Sequence, residues 1–241
     1  MEMEDWFGSQ YYKLLYQNRD EREAQEFIYN LLGFLLPPAG SKMLDIACGD
    51  GRFATQLAQD GFDVTGIDIS AASIARATAH ESEHLQFFVQ DMRFPFYINY
   101  FDFAFNFFTS FGYFKHKRDH KLAAKSFAAS LKAGGTLVVD YLNTGYVLPR
   151  LVPEATITVG ETEFQISKHV EHNYIIKNIS FIDESGIKKS FTETVATFTL
   201  AEFECMFTEA GMALAHTFGD YQLQPFNEIT SPRLIMVFTK Q

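Results

Sequence analysis

The chain has 241 residues, a length that suits one large domain or one domain with an insert, and 26 of these residues are Phe. Its 30 acidic and 20 basic residues give a net charge of −10, which argues against broad nucleic-acid binding because such binding depends on Lys and Arg neutralising phosphates. The only two cysteines, Cys48 and Cys205, stand far apart, which excludes a disulfide scaffold and a CxxC zinc site.

The N-terminal region is predicted to be helical. Residues 9–36 place apolar side chains at helical spacing around a polar stretch at 18–20, and Pro37 and Pro38 end the segment. The acidic start of the chain lacks the basic region of a secretory signal, and no apolar stretch is long enough to span a membrane. We therefore expect a cytoplasmic protein without membrane partners.

Strands and helices are predicted to alternate between residues 42 and 140. The strands fall at 42–46, 63–67, 85–90, 101–107 and 136–140, and the helices at 52–59, 71–80 and 119–131. Alternation at this spacing implies a parallel sheet with helices on both faces. The predicted fold class is therefore α/β, with a doubly wound, mostly parallel sheet.

The pattern changes near residue 143 and predicts an inserted small antiparallel β-sheet over residues 145–197. This region contains period-two stretches rich in Thr, Ile, Val and Phe. After it, Thr199-Leu-Ala-Glu202 matches a capping box that opens a helix. Strands at about 213–221 and 234–239 then complete an α/β domain made of residues 41–144 and 198–241.

The most informative segment runs from Met43 to Ala54 and is predicted to form a strand, a turn of small residues and a helix. Small residues let a ligand lie against the backbone, and a helix start offers free N–H groups. Gly49, Gly51 and Ala54 fit the G-x-G-x-x-G/A pattern. Asp68 follows at the end of the second strand, where dinucleotide enzymes bind ribose hydroxyls. The loop alone therefore allows NAD.

The charges around this loop favour a different ligand. Asp45 and Asp50 flank the turn, so a pyrophosphate bound here would lie close to two carboxylates that repel it. A cationic ligand would instead be attracted. The loop therefore favours a ligand that combines a ribose with a positive centre and carries no phosphate.

At this point the chain resembles a known family. Residues Leu44-Asp-Ile-Ala-Cys-Gly-Asp-Gly51 are similar to motif I of the class I S-adenosylmethionine (SAM) dependent methyltransferases, with Ala47 where the first Gly is usual. Three later segments resemble, in order, the family's adenine-contacting segment, its segment under the methionine part and its turn into strand five: Gln90-Asp-Met92, Asn106-Phe-Phe108 and Leu131–Leu137.

The resemblance covers residues 40–142 well and residues 198–240 more loosely. It implies a seven-stranded Rossmann-like methyltransferase fold, SAM as cofactor and S-adenosylhomocysteine as product. It also implies that Asp68 holds the ribose diol and that Asp91 accepts the exocyclic amine of adenine. The candidate cofactor-binding residues are Asp45, Ala47, Cys48, Gly49, Gly51, Asp68, Ile69, Asp91, Met92, Asn106, Phe107 and Tyr11.

Several of these assignments have a structural alternative. Asp45 can brace a turn, Asp68 can act as an acid near a helix N-terminus, and Asp91 can be an exposed loop acid. Cys48 is interpreted as a small residue in a tight turn rather than as a nucleophile, since no His lies near it in the sequence.

Four aromatic residues lie near the N-terminus at Trp6, Tyr11, Tyr12 and Tyr16. One interpretation is a helix that packs on the edge of the sheet. The resemblance offers another, because an N-terminal helix in this family often covers the cofactor, and aromatic faces attract a sulfonium. Under that interpretation residues 1–40 form a helical lid and Tyr11 contacts the cofactor.

Two pairs of histidines have the i, i+4 spacing that can bind zinc on a helix, His80 with His84 and His116 with His120. Neither pair carries the glutamate of H-E-x-x-H, and both lie beside charged residues. We interpret them as solvated helix ends and predict no metal.

The acceptor site is expected beyond the carboxyl ends of the strands, where ligands bind in open α/β sheets. That rim includes residues 109–113, His116 and residues 140–143. The stretch Ser110-Phe-Gly-Tyr113 resembles the segment after strand four of sugar N-methyltransferases, some of which have His near the position of Tyr113. Tyr113 and His116 are therefore both candidate catalytic residues. The insert is expected to cover the substrate or to form a homodimer contact.

These features predict a SAM-dependent methyltransferase that acts on a nitrogen or oxygen atom of a small-molecule acceptor. The small acceptor follows from the acidity of the chain and from the lack of a recognisable nucleic-acid module. An NAD-linked oxidoreductase and a non-catalytic SAM-binding protein remain as alternatives.

Phenylalanine is concentrated in residues 94–114, which hold nine of the 26. Phe101, Phe103, Phe105 and Phe107 alternate with small or polar residues, which predicts one bulky face of strand four packed on a helix layer. The phenylalanines at the end of this strand and beyond it are predicted to form an aromatic wall of an apolar acceptor pocket: Phe107, Phe108, Phe111 and Phe114.

Overall fold

The computed structural model of the protein describes residues 6–16 and 21–241. The polar stretch predicted at 18–20 and the first five residues of the predicted lid lie outside the described residues. The helices are α1 (Gln10–Tyr16), α2 (Glu21–Leu35), α3 (Arg52–Gln59), α4 (Ala71–Ala77), α5 (Lys117–Ser130), α6 (Thr144–Val147) and α7 (Leu200–Thr208). The strands are β1 (Lys42–Ile46), β2 (Asp63–Asp68), β3 (Leu85–Val89), β4 (Phe101–Asn106), β5 (Leu131–Leu142), β6 (Glu154–Val159), β7 (Thr162–Glu171), β8 (Tyr174–Ile182), β9 (Lys188–Ala196), β10 (Met212–Phe218) and β11 (Arg233–Lys240).

A seven-stranded sheet forms the centre of the protein, in the order β10-β11-β5-β4-β1-β2-β3. β11 runs antiparallel to both β5 and β10, while the other neighbouring strands are parallel. The predicted α/β fold with a mostly parallel sheet is therefore confirmed. Since parallel strands present their carboxyl ends at one edge, the ends of β1, β2, β4 and β5 lie together there.

The phenylalanines of β4 pack on both faces of this sheet. Phe103, Phe105 and Phe107 stack along the face covered by α2 and α3, with successive ring centroids 6.4 and 5.3 Å apart. The prediction of one common face is wrong for Phe101, which packs on the opposite face among residues of α5 and α7. The pairing of β4 with β5 is irregular at this place, since the register shifts between Phe101 and Phe103.

The turn predicted before the fifth strand is part of β5 itself. Phe101 pairs with Leu131, but Phe103 pairs with Thr136, so the residues between Leu131 and Thr136 bulge out of the strand. The two glycines of this segment therefore interrupt the pairing of β5 without ending it.

A second sheet of four antiparallel strands, in the order β6-β7-β8-β9, lies within the predicted insert and confirms it. Its inner face buries Phe164, Ile179 and Phe181, which pack in one cluster with Trp6 and Leu15 of the N-terminal segment. The insert is thus held against the N-terminal segment by apolar contact.

The predicted capping box opens α7. The Glu202 N–H donates to Thr199 Oγ1 at 3.3 Å, and the Thr199 N–H donates to the Glu202 carboxylate at 2.9 Å. β10 ends at Phe218, three residues before the predicted end at Tyr221. Within the part of the chain that the structure describes, no helix is long and apolar enough to cross a membrane.

Candidate active site

The glycine-rich loop connects β1 to α3 and carries three residues in the left-handed region, since Ala47, Gly49 and Gly51 have φ angles of 62°, 57° and 78°. A Cβ atom added to Gly51 would lie 2.4 Å from the Phe87 ring, so packing requires this glycine. A Cβ atom at Gly49 would meet no described atom within 4 Å. The open space at Gly49 lets a ligand approach the backbone beside the start of α3.

Asp45 lies near the end of β1, beneath the loop, and is 2% exposed. Its Oδ2 atom has no hydrogen-bond partner among the described residues. Burial raises the pKa of Asp45 to about 7, repulsion from Asp68 adds to the shift, and the backbone N–H of Ala54 opposes it. An incompletely satisfied buried carboxylate is unfavourable, so Asp45 favours a bound group with positive charge or hydrogen-bond donors.

Asp68 ends β2 and is tied to the loop through both oxygens. The Gly49 N–H donates to Oδ2 at 2.9 Å, and the Ser70 N–H donates to Oδ1 at 2.8 Å. Burial raises the pKa of Asp68, and these two N–H groups oppose the rise. Each oxygen keeps a further acceptor position, so the carboxylate can still bind hydroxyl groups beside Gly49.

Asp50 is paired with two cations of the protein. Lys13 forms an ion pair with Asp50 Oδ2, and the Arg76 guanidinium lies 2.8 Å from Asp50 Oδ1. Burial alone would raise the pKa of Asp50, but these contacts lower it. The carboxylates left to attract a ligand are therefore Asp45 and Asp68, rather than Asp45 and Asp50 as the sequence predicts.

Asp91 and Met92 follow β3, the strand beside β2. The Arg93 side chain donates to both oxygens of Asp91 at 2.6–3.1 Å. Burial alone would raise the pKa of Asp91, but Arg93 lowers it. Ile69, which is 42% exposed, and the partly buried Met92 offer apolar surface at the ends of β2 and β3.

The chain leaves β4 along a strained path. Asn106 is fully buried, and its Nδ2 donates to the Ile46 carbonyl at 3.0 Å, while its Oδ1 lacks a partner among the described residues. Phe107 is 4% exposed and belongs to the stacked phenylalanines. Phe108 and Thr109 both have positive φ angles, of 56° and 61°, which are unfavourable for residues other than glycine.

A buried carboxylate near the end of β5 holds this strained turn. The Phe108 N–H donates to Asp140 at 2.8 Å, and the Tyr221 hydroxyl donates to Asp140 at 3.2 Å. Arg233 forms an ion pair with Asp140 at 2.7 Å and donates to Thr109 Oγ1 at 3.0 Å. The strain persists because several contacts fix the same turn.

The two candidate catalytic residues have different surroundings. Tyr113 is half-buried, and its ring centroid lies 5.3 Å from that of Phe7 in an edge-to-face contact. His116 is exposed at the N-cap of α5, and its side chain makes no capping hydrogen bond. The structure thus brings Tyr113, rather than His116, against the N-terminal segment.

Two expectations about the chain after β4 are wrong. His120, expected at a solvated helix end, is fully buried against the rings of Phe111, Phe114 and Phe198, and burial lowers its pKa. Phe111, expected in the acceptor wall, is 0% exposed and packs in the core with α5 and α7. Both errors have one cause, because the chain after β4 turns back into the core instead of following the rim.

Tyr11 of α1 faces the insert. Its ring centroid lies 4.5 Å from that of Phe181, and its hydroxyl accepts the Glu184 N–H at 3.3 Å. The residue of α1 that reaches the glycine-rich loop is Lys13.

Two surface cavities, of about 530 and 380 Å³, lie away from the glycine-rich loop. The larger follows the outer face of the inserted sheet past Ser167 and Asn178, and the smaller lies beside Tyr29 and Gln56. Volume alone does not make either a ligand site, whereas the loop presents a buried carboxylate oxygen that needs a partner.

Sequence reasoning missed three residues that contact this site: Lys13, Arg76 and Arg233. The aspartates that they bind lie 26 to 93 positions away in the chain, and nothing in their local sequence distinguishes them from surface charges. For Asp140 a signal exists, since an acid within a run of buried strand residues needs a partner.

The fold and the site define a class of protein. An α/β sheet carries at its carboxyl edge a glycine-rich loop and two carboxylates that suit a cationic ligand with a ribose. SAM has these properties, and the unpartnered oxygen of Asp45 and the open space at Gly49 fit it.

Comparison with known proteins gives the family. Residues 16–216 match the family model described as Methyltransferase domain, and the chain belongs to this family. The protein is a SAM-dependent methyltransferase, and these matches give no support to an NAD-linked oxidoreductase.

Three similar proteins show how far the likeness extends. YqeM of Bacillus subtilis (strain 168) is 30% identical over 197 residues, which cover 76% of this chain and 78% of YqeM. The dTDP-3-amino-3,4,6-trideoxy-alpha-D-glucopyranose N,N-dimethyltransferase of Streptomyces venezuelae is 26% identical over 228 residues, covering 86% of this chain and 91% of that protein. A SAM-dependent methyltransferase from Clostridium acetobutylicum ATCC 824 superimposes with a TM-score of 0.81 at 18% identity, covering 95% of this chain and 96% of that one.

Proposed function

We propose that the protein transfers the methyl group of SAM to a nitrogen or oxygen atom of a small-molecule acceptor bound among the chain after β4, α1 and the inserted sheet. The observation that carries the proposal is the unpartnered, buried carboxylate oxygen of Asp45, on the strand that leads into the loop where Gly49 has an open face. The Streptomyces venezuelae relative is named for an amino-sugar acceptor and an N-methylation, which supports a small acceptor and nitrogen as the methylated atom.

The loop and the end of β2 are proposed to hold the charged and ribosyl parts of the cofactor. Asp45 would attract its positive charge, and Gly49 and Gly51 would let it approach the backbone, with Ala47 and Cys48 shaping the turn. Burial raises the pKa of the Cys48 thiol, which keeps it protonated and supports a packing role.

Asp68 would accept the ribose hydroxyls while its existing bonds to Gly49 and Ser70 hold its orientation. At the next strand end, Ile69 and Met92 would enclose the adenine, and Asp91 would accept its exocyclic amine. Arg93 already binds both oxygens of Asp91, so the amine would share an ionised and firmly oriented carboxylate.

Asn106 and Phe107 are proposed to form the surface beneath the methionine part. When bound, SAM supplies a methyl group on a sulfonium, which is displaced in line by the acceptor atom. The protein's part is to align the acceptor and to exclude water, and alignment alone can contribute several kcal/mol, roughly 7–11 in favourable cases.

For the acceptor side we propose Tyr113 over His116, because Tyr113 is half-buried against the N-terminal segment whereas His116 is exposed. A hydroxyl acceptor needs help in losing its proton, while an amine must be neutral before it reacts. The segment before β1 would act as a lid and the inserted sheet as a substrate cover, with the contact of Phe7 on Tyr113 at the boundary between them.

The test is calorimetric titration of SAM and S-adenosylhomocysteine into the wild type, Asp68→Ala and Asp60→Ala. Asp60 is an exposed acid at the end of α3 and serves as the matched control. We expect Asp68→Ala to lose at least about tenfold in affinity, as for one charged hydrogen-bonding group, while Asp60→Ala binds like wild type. Wild-type affinity in Asp68→Ala would overturn the assigned role.

A further inference from the structure

The inner face of the inserted sheet carries a buried ion pair away from the cofactor loop. Glu193 of β9 is 6% exposed, and the Lys177 Nζ of β8 lies 3.5 Å from its carboxylate. The surrounding residues of this face are apolar, with Ile179 and Phe181 buried on the strand beside it. Placing two charges in such a face is unfavourable unless they have further partners.

Those partners come from the N-terminal segment. The Trp6 Nε1–H donates to Glu193 Oε1 at 2.7 Å, and the Tyr16 hydroxyl lies 2.9 Å from each carboxylate oxygen. Lys177 donates in turn to the Tyr16 hydroxyl. The Trp6 ring also stacks on Phe191, with centroids 4.7 Å apart. One glutamate of the insert therefore binds both ends of the segment that contains α1.

The polarity of this contact matters for the position of α1. An apolar surface would hold the helix at lower desolvation cost, but its contacts are less directional than hydrogen bonds. Two directional hydrogen bonds to one carboxylate, from Trp6 before α1 and from Tyr16 at its end, hold the segment at both ends. Glu193 therefore sets where the other residues of this segment lie.

Two of those residues face the site. Lys13, three residues before Tyr16, forms the ion pair with Asp50 in the glycine-rich loop. Phe7, next to Trp6, makes the edge contact with Tyr113 after β4. A chain of contacts thus runs from Glu193 through the N-terminal segment to the cofactor loop and to the candidate catalytic residue.

We propose that Glu193 is a positioning residue, which fixes the N-terminal segment so that Lys13 binds the cofactor loop and Phe7 packs on Tyr113. The inference rests on the proposed function, because it assigns to this segment the role of closing the methyl-transfer site. Glu193 contacts Trp6, Tyr16 and Lys177 and is not a catalytic residue. It acts only through Trp6 and Tyr16.

The protein contains its own reporter of this contact. Trp6 is the only tryptophan in the chain, so the intrinsic tryptophan fluorescence reports directly on the docking of the N-terminal segment. The variants to compare are Glu193→Gln, Glu193→Ala and Lys13→Ala. Glu161→Gln, in the exposed turn between β6 and β7, is the matched control. Each is measured for acrylamide quenching of Trp6, for SAM affinity and for melting temperature.

We expect Glu193→Ala to expose Trp6 to acrylamide and to weaken SAM binding about five- to tenfold, with Glu193→Gln intermediate. Lys13→Ala should weaken SAM binding by a similar factor while Trp6 stays protected. The double variant should bind SAM no more weakly than either single variant, because both changes break one chain of contacts.

The outcomes separate the two proposals. Wild-type protein that fails to bind SAM contradicts the proposed function. Wild-type protein that binds SAM, together with unchanged SAM affinity in Glu193→Ala, overturns the positioning role alone and leaves a purely structural contact. If the Glu193 variants do not fold, Trp6→Phe removes the hydrogen bond to Glu193 and keeps an aromatic, though smaller, ring, and unchanged SAM affinity in that variant and in Lys13→Ala also overturns the role.

Discussion

At the scale of single residues, recognition of the cofactor depends on two carboxylates in unequal environments. Asp68 has a backbone N–H on each oxygen, whereas Asp45 is buried with one oxygen unpartnered among the described residues. A positively charged ligand therefore stabilises the carboxylate of Asp45 more than that of Asp68. Binding of such a ligand favours the ionised form of Asp45 and must displace its proton at lower pH.

This inequality predicts a pH dependence of SAM affinity. Burial raises the pKa of Asp45 to about 7, so SAM binding should strengthen about tenfold between pH 6 and pH 8 as the carboxylate ionises. Without SAM, the stability of the folded protein changes with pH in the opposite direction. The folded protein holds this proton more tightly than the unfolded chain, so the free energy of unfolding falls as pH rises from about 4 to about 7.

Calorimetric titration across this pH range checks the prediction, with Asp45→Asn as the comparison. The variant should bind SAM more weakly, and it should lack the part of the rise that comes from Asp45. An equal rise with pH in the variant would show that another group is responsible.

Ala47 stands in the left-handed region, with a φ angle of 62°. This conformation disfavours alanine by roughly 1–2 kcal/mol, while glycine loses about 0.5–1 kcal/mol more backbone entropy on folding. Ala47→Gly should therefore raise the free energy of unfolding by up to about 1 kcal/mol. Denaturant unfolding measures this change in the free energy of unfolding.

The control for this change is Ala75→Gly at an exposed position inside α4. The free energy of unfolding of that variant should fall by about 1 kcal/mol, because glycine is unfavourable in a helix interior. Equal losses in the two variants would mean that Ala47 is not strained.

Sequence reasoning located residues of the loop well but not their partners. Asp45 and Asp68 could be placed because strand ends of a parallel sheet meet at one edge. The pairing of Asp50 with Lys13 and Arg76 could not, because it depends on how α1 and α4 pack. The same holds for His120, whose burial follows from tertiary packing that overrides a polar local sequence.

At the scale of elements, hydrogen bonds from β8 and β9 join the inserted sheet to the chain after β4. The Ala196 N–H at the end of β9 donates to the Gly112 carbonyl at 2.9 Å, and the Tyr141 hydroxyl donates to the Ala196 carbonyl. Tyr174 of β8 adds a hydrogen bond to the Phe114 carbonyl at 3.2 Å. These bonds fix the insert relative to the segment that carries Tyr113.

Gly112 is essential to this junction. Its φ angle is 102°, and an added Cβ would lie 2.4 Å from the buried Tyr141 hydroxyl. Gly112→Ala should lower the free energy of unfolding by about 2–4 kcal/mol, through overpacking added to an unfavourable backbone conformation. Thermal or denaturant unfolding measures the loss.

Gly134→Ala separates these two causes. Gly134 also has a positive φ angle, of 74°, but a Cβ there would meet no described atom within 4 Å. Gly134→Ala should lower the free energy of unfolding by only about 1 kcal/mol, through backbone strain. A Gly112→Ala variant no less stable than Gly134→Ala would contradict the close approach to Tyr141.

The helices and strands could be predicted because the hydrophobic period of a helix differs from that of a strand. The capping box at Thr199 also marked the start of a helix. Register could not be predicted, since the bulge between Leu131 and Thr136 leaves no periodic signal. Nor could the sequence show that Phe101 and Phe103 pack in different clusters, since strict alternation predicts one face for both.

At the scale of the whole molecule, the N-terminal segment links two parts that are far apart in the chain. It binds the insert through Glu193 and the glycine-rich loop through Asp50. The net charge of −10 also favours the approach of a cationic cofactor over an anionic one. The excess of phenylalanine, by contrast, serves the core on both faces of the sheet more than it serves an acceptor pocket.

The most direct test of the central claim is a crystal structure of the protein with S-adenosylhomocysteine. We predict that the ribose hydroxyls lie within hydrogen-bond distance of the Asp68 carboxylate and that the adenine lies between Ile69 and Met92. Binding at another place, such as the outer face of the inserted sheet, or a ribose out of reach of Asp68, would contradict it.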